Sequence, residues 1–194
     1  MLSHFFAYLY RLRFIQRWSL MRSSLPENAA EHTFDVAVLT HALCVIAREV
    51  FDKEVDAEGA VLLALFHDVT EVITGDISAP VKHHNSRILH SMREIELLAG
   101  DQLLAMVPEP LKEVYRPLIQ QSEVDPSLLV WVKAADKLSA YLKCAFEVAA
   151  GNREFAVAKR QLEGAVRDLF MPEVDYFLEH FAPSFERTLD EISE

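Results

Sequence analysis

Glycine and proline are scarce in this chain, five and eight in 194 residues. So few turn formers argue against many short strands and favour long elements with few breaks. Cysteine is almost absent. Cys44 and Cys144 both lie in apolar stretches and read as buried free thiols, not as a disulfide or a thiolate metal site. No long hydrophobic run occurs either. The longest, residues 60–66, falls far short of the roughly 20 residues that cross a bilayer. Acid is missing from residues 1–26, which hold Arg11, Arg13, Arg17 and Arg22 and so carry +4, while the chain as a whole carries −11. The remainder therefore carries −15, a balance that disfavours nucleic-acid polymers and anionic membranes as partners. The basic segment is either a solvated helix face or the source of an arginine that meets a small anion.

What is present is an ordinary globular composition, 51% hydrophobic and 25% charged, with enough residues for one substantial core. The apolar, basic start "MLSHFFAYLYRLRF" is broken by Arg11 and Arg13, and no small-residue cleavage site follows it. It reads as an amphipathic helix over 4–16 with Phe5, Leu9 and Leu12 on one face, and the default setting is cytoplasmic. Helical periodicity dominates beyond it and no segment alternates with period two. Asn28, with Glu31 three residues on, predicts a capped helix whose stripe runs His32, Val36, Leu39, Leu43, Ile46. Asp56 caps a helix carrying 61–71, which Gly75 and Pro80 end. Further helices are expected over 88–106, 111–120, 128–150, 155–169 and 174–189. The expectation is an all-α fold, with residues 1–194 as a single domain.

Three places on these helices look wrong for a plain core. The apolar run of 60–66 leads straight into His67-Asp68, and a buried carboxylate is costly unless paired. At about 100° per residue, His67, Asp68 and Glu71 share one sector of a continuous helix. His32 heads its apolar stripe. Asp136 sits in "LLVWVKAADKLSAYL" among Leu129, Val132 and Ala140. Singly, His32 reads as a hydrogen-bonded core histidine and Asp136 as a salt-bridge partner of Lys133 or Lys137. Together, two imidazoles and two carboxylates from three helices make a ligand set for one divalent ion, which would offset the burial of Asp68. Cobalt, manganese and other transition metals all suit such donors. His41, His83, His84 and His90 read as surface or ordinary packing residues.

A histidine, a His-Asp doublet and a distant aspartate, all on helices, resemble the HD-domain metal-dependent phosphohydrolases. The longer stretches "SHFFAYLYRLRFIQRWSLMR", "EHTFDVAVLTHAL", "HDVTEVITGDISAPVK", "KAADKLSAYLKC" and "PSFERTLDEIS" are similar to the bacterial 5′-deoxynucleotidase family over residues 3–193. The resemblance implies an HD-domain helical bundle that hydrolyses 2′-deoxynucleoside 5′-monophosphates and forms homodimers. It implies His32, His67, Asp68 and Asp136 as metal ligands, with His32, Asp68 and Asp136 also near substrate. Glu71 would act on the attacking water or the leaving oxygen, and Arg17 would orient the phosphate. Trp18 would meet the substrate, unless it packs helix one, and Asp76, Ile77, Ser78 and Ala79 would line the nucleoside side, unless Asp76 caps the next segment. Two departures stand out. Ala79 replaces an expected threonine, and Val69-Thr70 follow the doublet in place of two small residues. The competing readings are another nucleotide phosphoester as substrate, or a regulatory module that keeps its metal without turnover.

Overall fold

Asn28 starts the element around which the rest is built. Its side chain accepts from the amides of Ala30 and Glu31, and the Glu31 carboxylate accepts in turn from the Asn28 amide. Such a cap is worth about 1 kcal/mol over alanine. The computed structural model describes residues 2–82, 84–121 and 124–194, and among them every regular element is a helix. They are α1 (Phe5–Leu9), α2 (Ala29–Phe51), α3 (Ala57–Ala64), α4 (Glu71–Thr74), α5 (Ala79–Lys82), α6 (Ser86–Met106), α7 (Lys112–Ile119), α8 (Pro126–Ala149), α9 (Ala156–Arg167), α10 (Pro172–His180) and α11 (Leu189–Ile192), with short 3₁₀ turns between several of them. No helix among the described residues is long and apolar enough to cross a membrane.

The paired helices α2 and α8 form the centre, with α3 and α10 against α2 and α9 against α8. Val36, Leu39, Leu43 and Ile46 of α2 meet Val132, Leu138 and Leu142 of α8 in the main core, as the stripe required. A smaller core lies beside it, where Phe5 of α1 meets Val69, Leu103 and Leu104 of α6, and Ile119 of α7. Phe66 packs against both. Cys44 and Cys144 are buried and free. Burial pushes their thiols up to about 11 and about 12, so neither is a reactive thiolate.

Three expected helices are shorter than their periodicity. The first is α-helical only over Phe5–Leu9, tightens to a 3₁₀ turn over Tyr10–Phe14, and becomes extended at Ile15. There Gln16 bridges Asn28 in an antiparallel pair. The third stops at Ala64, with six residues between it and α4, because Ala64 lies in the main core while Val69 must enter the smaller one. The last breaks after His180, since Pro183 has no amide to continue the ladder; a 3₁₀ turn and α11 follow. His41, His84 and His90 are exposed, and His83 lies outside the described residues.

Candidate metal centre

The turn between α3 and α4 shapes the site. In a continuous helix the Ala64 carbonyl would accept from the Asp68 amide. Here His67 takes it instead, its ring Nδ1 donating to Ala64 O at 2.8 Å beside its own amide at 3.4 Å. The amides on either side reach back three residues: Phe66 to Leu63 at 3.1 Å, Val69 to Phe66 at 3.2 Å and Glu71 to Asp68 at 3.0 Å. His67, Asp68 and Glu71 therefore converge through a tightened turn, not as a stripe on one helix. This corrects the helix expected over 61–71, and the cause is a side chain competing for a backbone carbonyl.

One oxygen, Asp68 Oδ2, gathers the cluster. It lies 3.1 Å from His67 Nε2, 3.7 Å from His32 Nε2 and 3.5 Å from Arg17 Nη1. His32, His67 and Asp68 each offer a ligand atom, all within 4.8 Å of one another. His32 is fully buried in the first turn of α2. Its Nδ1 lies 3.2 Å from Ser139 Oγ, and its Nε2 lies 3.0 Å from Asp136 Oδ1. Asp136 on α8 thus joins the cluster through His32, and not through Lys133 or Lys137.

This donor set fits a divalent ion. With Nδ1 bound to a carbonyl, His67 turns Nε2 into the cluster, where it faces Asp68 Oδ2 at 3.1 Å. Histidines that hold metals are oriented in this way. The electrostatics agree. Burial opposes a charge on His67, but the neighbouring Asp68 outweighs it and pushes the imidazole up to about 9. Burial likewise opposes ionisation of Asp68, yet His67, His32 and Arg17 hold it well below the usual carboxylate range. Asp136 is lowered too, with His32 overcoming burial. The cluster draws positive charge to one point.

Glu71 behaves oppositely. Burial first, then the charge of Asp68, pushes it up to about 8, with Arg17 offsetting part of the shift. Its Oε2 is buried and unpartnered. Asp76 is raised by burial, and it exchanges charge effects with Arg17 and Asp68, which puts it in the same field. Ile77 and Ser78 are half-buried and Ala79 is exposed at the start of α5. Among the described residues no hydrogen bond ties 76–79 to the cluster, so this loop is not locked to the centre.

Of the N-terminal arginines, only Arg17 turns inward. Arg11 and Arg13 stack over Phe14 and Tyr10, and exposed Arg22 pairs with Glu154 at 2.8 Å. Trp18 finds an aromatic and a hydrogen-bond partner outside helix one. Its ring meets Phe155 edge-on at 5.4 Å, and its Nε1 donates to Glu27 Oε2 at 2.7 Å. Glu27, which also holds Arg17 Nε at 3.3 Å, is the residue that motif reading missed. The available signal was a lone acid set between an acid-free segment and a helix cap, in "LPEN".

Residues 4–185 match the family described as 5′-deoxynucleotidase YfbR-like. The chain is 47% identical over 192 residues to the 5′-deoxynucleotidase of Cronobacter sakazakii, covering 99% of this chain and 96% of that one. It is 48% identical to 5′-deoxynucleotidase YfbR of Shigella boydii, with the same coverage. Among solved structures it is similar to an HD-domain phosphohydrolase of Listeria innocua, with TM-score 0.78, 23% identity and 94% and 88% of the two chains covered. A cyanophage S-2L HD phosphohydrolase, described as bound to dA and one catalytic Zn2+ ion, superposes with TM-score 0.67 at 17% identity, over 92% of this chain and 96% of that one. At these identities the two structures speak for the fold alone. The match of the family over 4–185, together with relatives near half identity along almost the whole length, establishes that this chain belongs to the 5′-deoxynucleotidase YfbR-like family.

Proposed function

We propose that this chain, read as one catalytic domain over 1–194, hydrolyses 2′-deoxynucleoside 5′-monophosphates to the deoxynucleoside and phosphate. His32, His67, Asp68 and Asp136 would hold one divalent ion. The observation that carries the reading is the shared oxygen of Asp68, where two imidazole nitrogens and an arginine meet. A cation-binding donor set and an anion-binding arm face each other across one atom, as a metal-assisted phosphomonoesterase needs. The names of the relatives support the deoxynucleotide as substrate.

When bound, the ion supplies a Lewis acid for a phosphoryl oxygen and a more acidic water. The chain's own residues supply the rest. Arg17, whose fork matches phosphate oxygens, binds and orients the ester. Hydrolysis forms a bond from water oxygen to phosphorus and breaks the bond to the 5′-oxygen, while a proton passes from the water to the nucleoside. Glu71 carries that proton, as its unpartnered oxygen and a pKa near the working pH suit it to do. Trp18 crowds the sugar edge, and Asp76 with 77–79 lines the nucleoside. His32, Asp68 and Asp136 form the floor beneath the phosphate.

Assembly as a homodimer and a cytoplasmic setting belong to the same proposal. A cleft of about 790 Å³ between α2 and α8 is lined by exposed Phe34 and Val38 and rimmed by Glu31 and Asp35. The N-terminal segment offers the complementary chemistry in exposed Phe6, Tyr10 and Phe14 among its arginines. Sedimentation that finds only monomers at micromolar concentration overturns the dimer. The function is tested by stripping metal and restoring single divalent ions across deoxy- and ribonucleoside monophosphates. Metal-dependent release of phosphate, fastest from the deoxynucleotides, is expected; metal-independent release or none overturns the reading.

A further inference from the structure

Glu27 has no part in the scheme above, yet it touches both residues assigned to phosphate and sugar. Its place is fixed by the backbone. The Arg17 amide donates to the Glu27 carbonyl at 3.0 Å and the Ala29 amide to the Ile15 carbonyl at 2.9 Å, so 15–17 and 27–29 run as a short antiparallel pair. The side chain is only 10% exposed. Its Oε2 accepts from Trp18 Nε1 at 2.7 Å and lies 3.3 Å from Arg17 Nε.

Each contact has work to do. Arginine's donors lie in one plane, so holding Nε fixes where the other two nitrogens point. Arg17 feels Asp68, Glu71 and Asp136 on its other side. That pull alone would seat the guanidinium squarely on Asp68, a proposed metal ligand, and take its donors from the substrate. Glu27 draws from the opposite side, and Arg17 Nη1 stands 3.5 Å off Asp68 Oδ2. Trp18 needs holding for a different reason. Its φ is 57°, a left-handed backbone that a bulky aromatic adopts only under strain. The bond to Glu27 and the edge contact with Phe155 keep it there. The start of α2 does not depend on this carboxylate, because Asn28 and Glu31 cap the helix themselves.

We propose that Glu27 is a positioning residue that sets the phosphate arm and the sugar wall together, through one carboxylate oxygen shared by Arg17 and Trp18. The inference rests on the roles given above to Arg17 and Trp18. It makes phosphate affinity and the choice of deoxyribose over ribose depend on one side chain that touches neither.

The test uses the metal-loaded full chain. The chain has two tryptophans, so a Trp131→Phe background leaves Trp18 as the only tryptophan, read by excitation at the red edge where tyrosine does not absorb. In Glu27→Ala, Trp18 emission should move to the red and lose anisotropy. Binding of inorganic phosphate and the deoxy-to-ribo ratio of kcat/KM should each fall about tenfold, the scale of one lost charge-assisted hydrogen bond. KM should rise more than kcat falls, because the reacting groups are untouched. Glu27→Gln keeps an acceptor for the indole but not the charge beside Arg17. It should restore Trp18 emission and the ratio while phosphate binding stays weak. A merely structural role would leave emission and ratio unchanged in Glu27→Ala once thermal midpoints are matched, and that result overturns the inference. A parent chain that turns over no deoxynucleotide overturns the functional reading and this inference with it; turnover with an unmoved ratio overturns this inference alone.

Discussion

Glu147 and Glu71 are the same residue type in the same protein interior, and their surroundings are opposites. Glu147, fully buried on α8, accepts from the amides of Ser24 and Leu25 at 2.9 and 3.1 Å, and from Lys143 and Asn152 at 2.6 and 2.8 Å. Burial would raise it, but these donors hold it well below the usual carboxylate range. Glu71 has acids where Glu147 has donors, and is pushed up to about 8. The first carboxylate pins the loop through 22–25 onto α8. The second is left with an unmet oxygen beside a cluster that attracts cations. An unmet oxygen alone does not mark a site, since both Glu173 oxygens lack a hydrogen bond and the Lys53 amino group 2.5 Å away neutralises them. Crowding by like charge is what separates Glu71.

The strongest way to break this contrast acts on the cluster itself. Alanine at His32, His67, Asp68 or Asp136 should abolish turnover and bound metal together, read by elemental analysis beside a phosphate-release assay. A variant that keeps stoichiometric metal removes that residue from the ligand set.

Next comes Glu71→Gln. Turnover should fall roughly 10²–10⁴-fold with metal retained, the range for a positioned acid or base. Stability should move the other way. Because folding raises the Glu71 pKa from 4.5 to about 8, its contribution is fully present below 4.5 and is lost as pH rises through about 8. The metal-free variant should therefore melt above the parent at pH 8, with the gap closing towards pH 4.5. Near-normal turnover takes Glu71 out of the proton transfer.

Glu147 should give the mirror image. Glu147→Ala strips a buried charge from its partners and should cost about 3–5 kcal/mol in urea denaturation, while metal affinity holds. Its pKa is depressed from 4.5, so its contribution is present above that value and lost as pH falls through the lower folded value. The gap to Glu147→Gln should be full at pH 7 and shrink in acid. Equal stability at pH 7 dissolves the contrast.

The smallest effect tests the nucleoside loop. Ala79→Thr should move the deoxy-to-ribo ratio by about 2–10-fold, as one hydroxyl contact would. An unchanged ratio places position 79 away from the sugar.

Much of this is legible in the sequence itself. The α2 stripe, its Asn28–Glu31 cap and the grouping of His32, His67 and Asp68 follow from local periodicity and from the cost of burying polar groups. The break after Ala64 was not legible, because it depends on which of two cores each apolar side chain enters and on a ring nitrogen taking a carbonyl. Asp136 was legible as one of four candidate ligands, while its direct partner, His32 in place of Lys133 or Lys137, shows only in space. Glu27 was invisible for a similar reason. The pairing of 15–17 with 27–29 is too short to leave any alternation, and only that pairing brings its carboxylate to Arg17 and Trp18.

The bond from His67 to the Ala64 carbonyl ties the end of a helix to the aim of a ring. The imidazole meets the carbonyl with one nitrogen and faces Asp68 with the other, so one contact sets both the stop after Ala64 and the direction of Nε2. A side chain at 67 that cannot reach the carbonyl would lose both at once, and Asp68 and Glu71, which follow in the same turn, would be re-aimed with it.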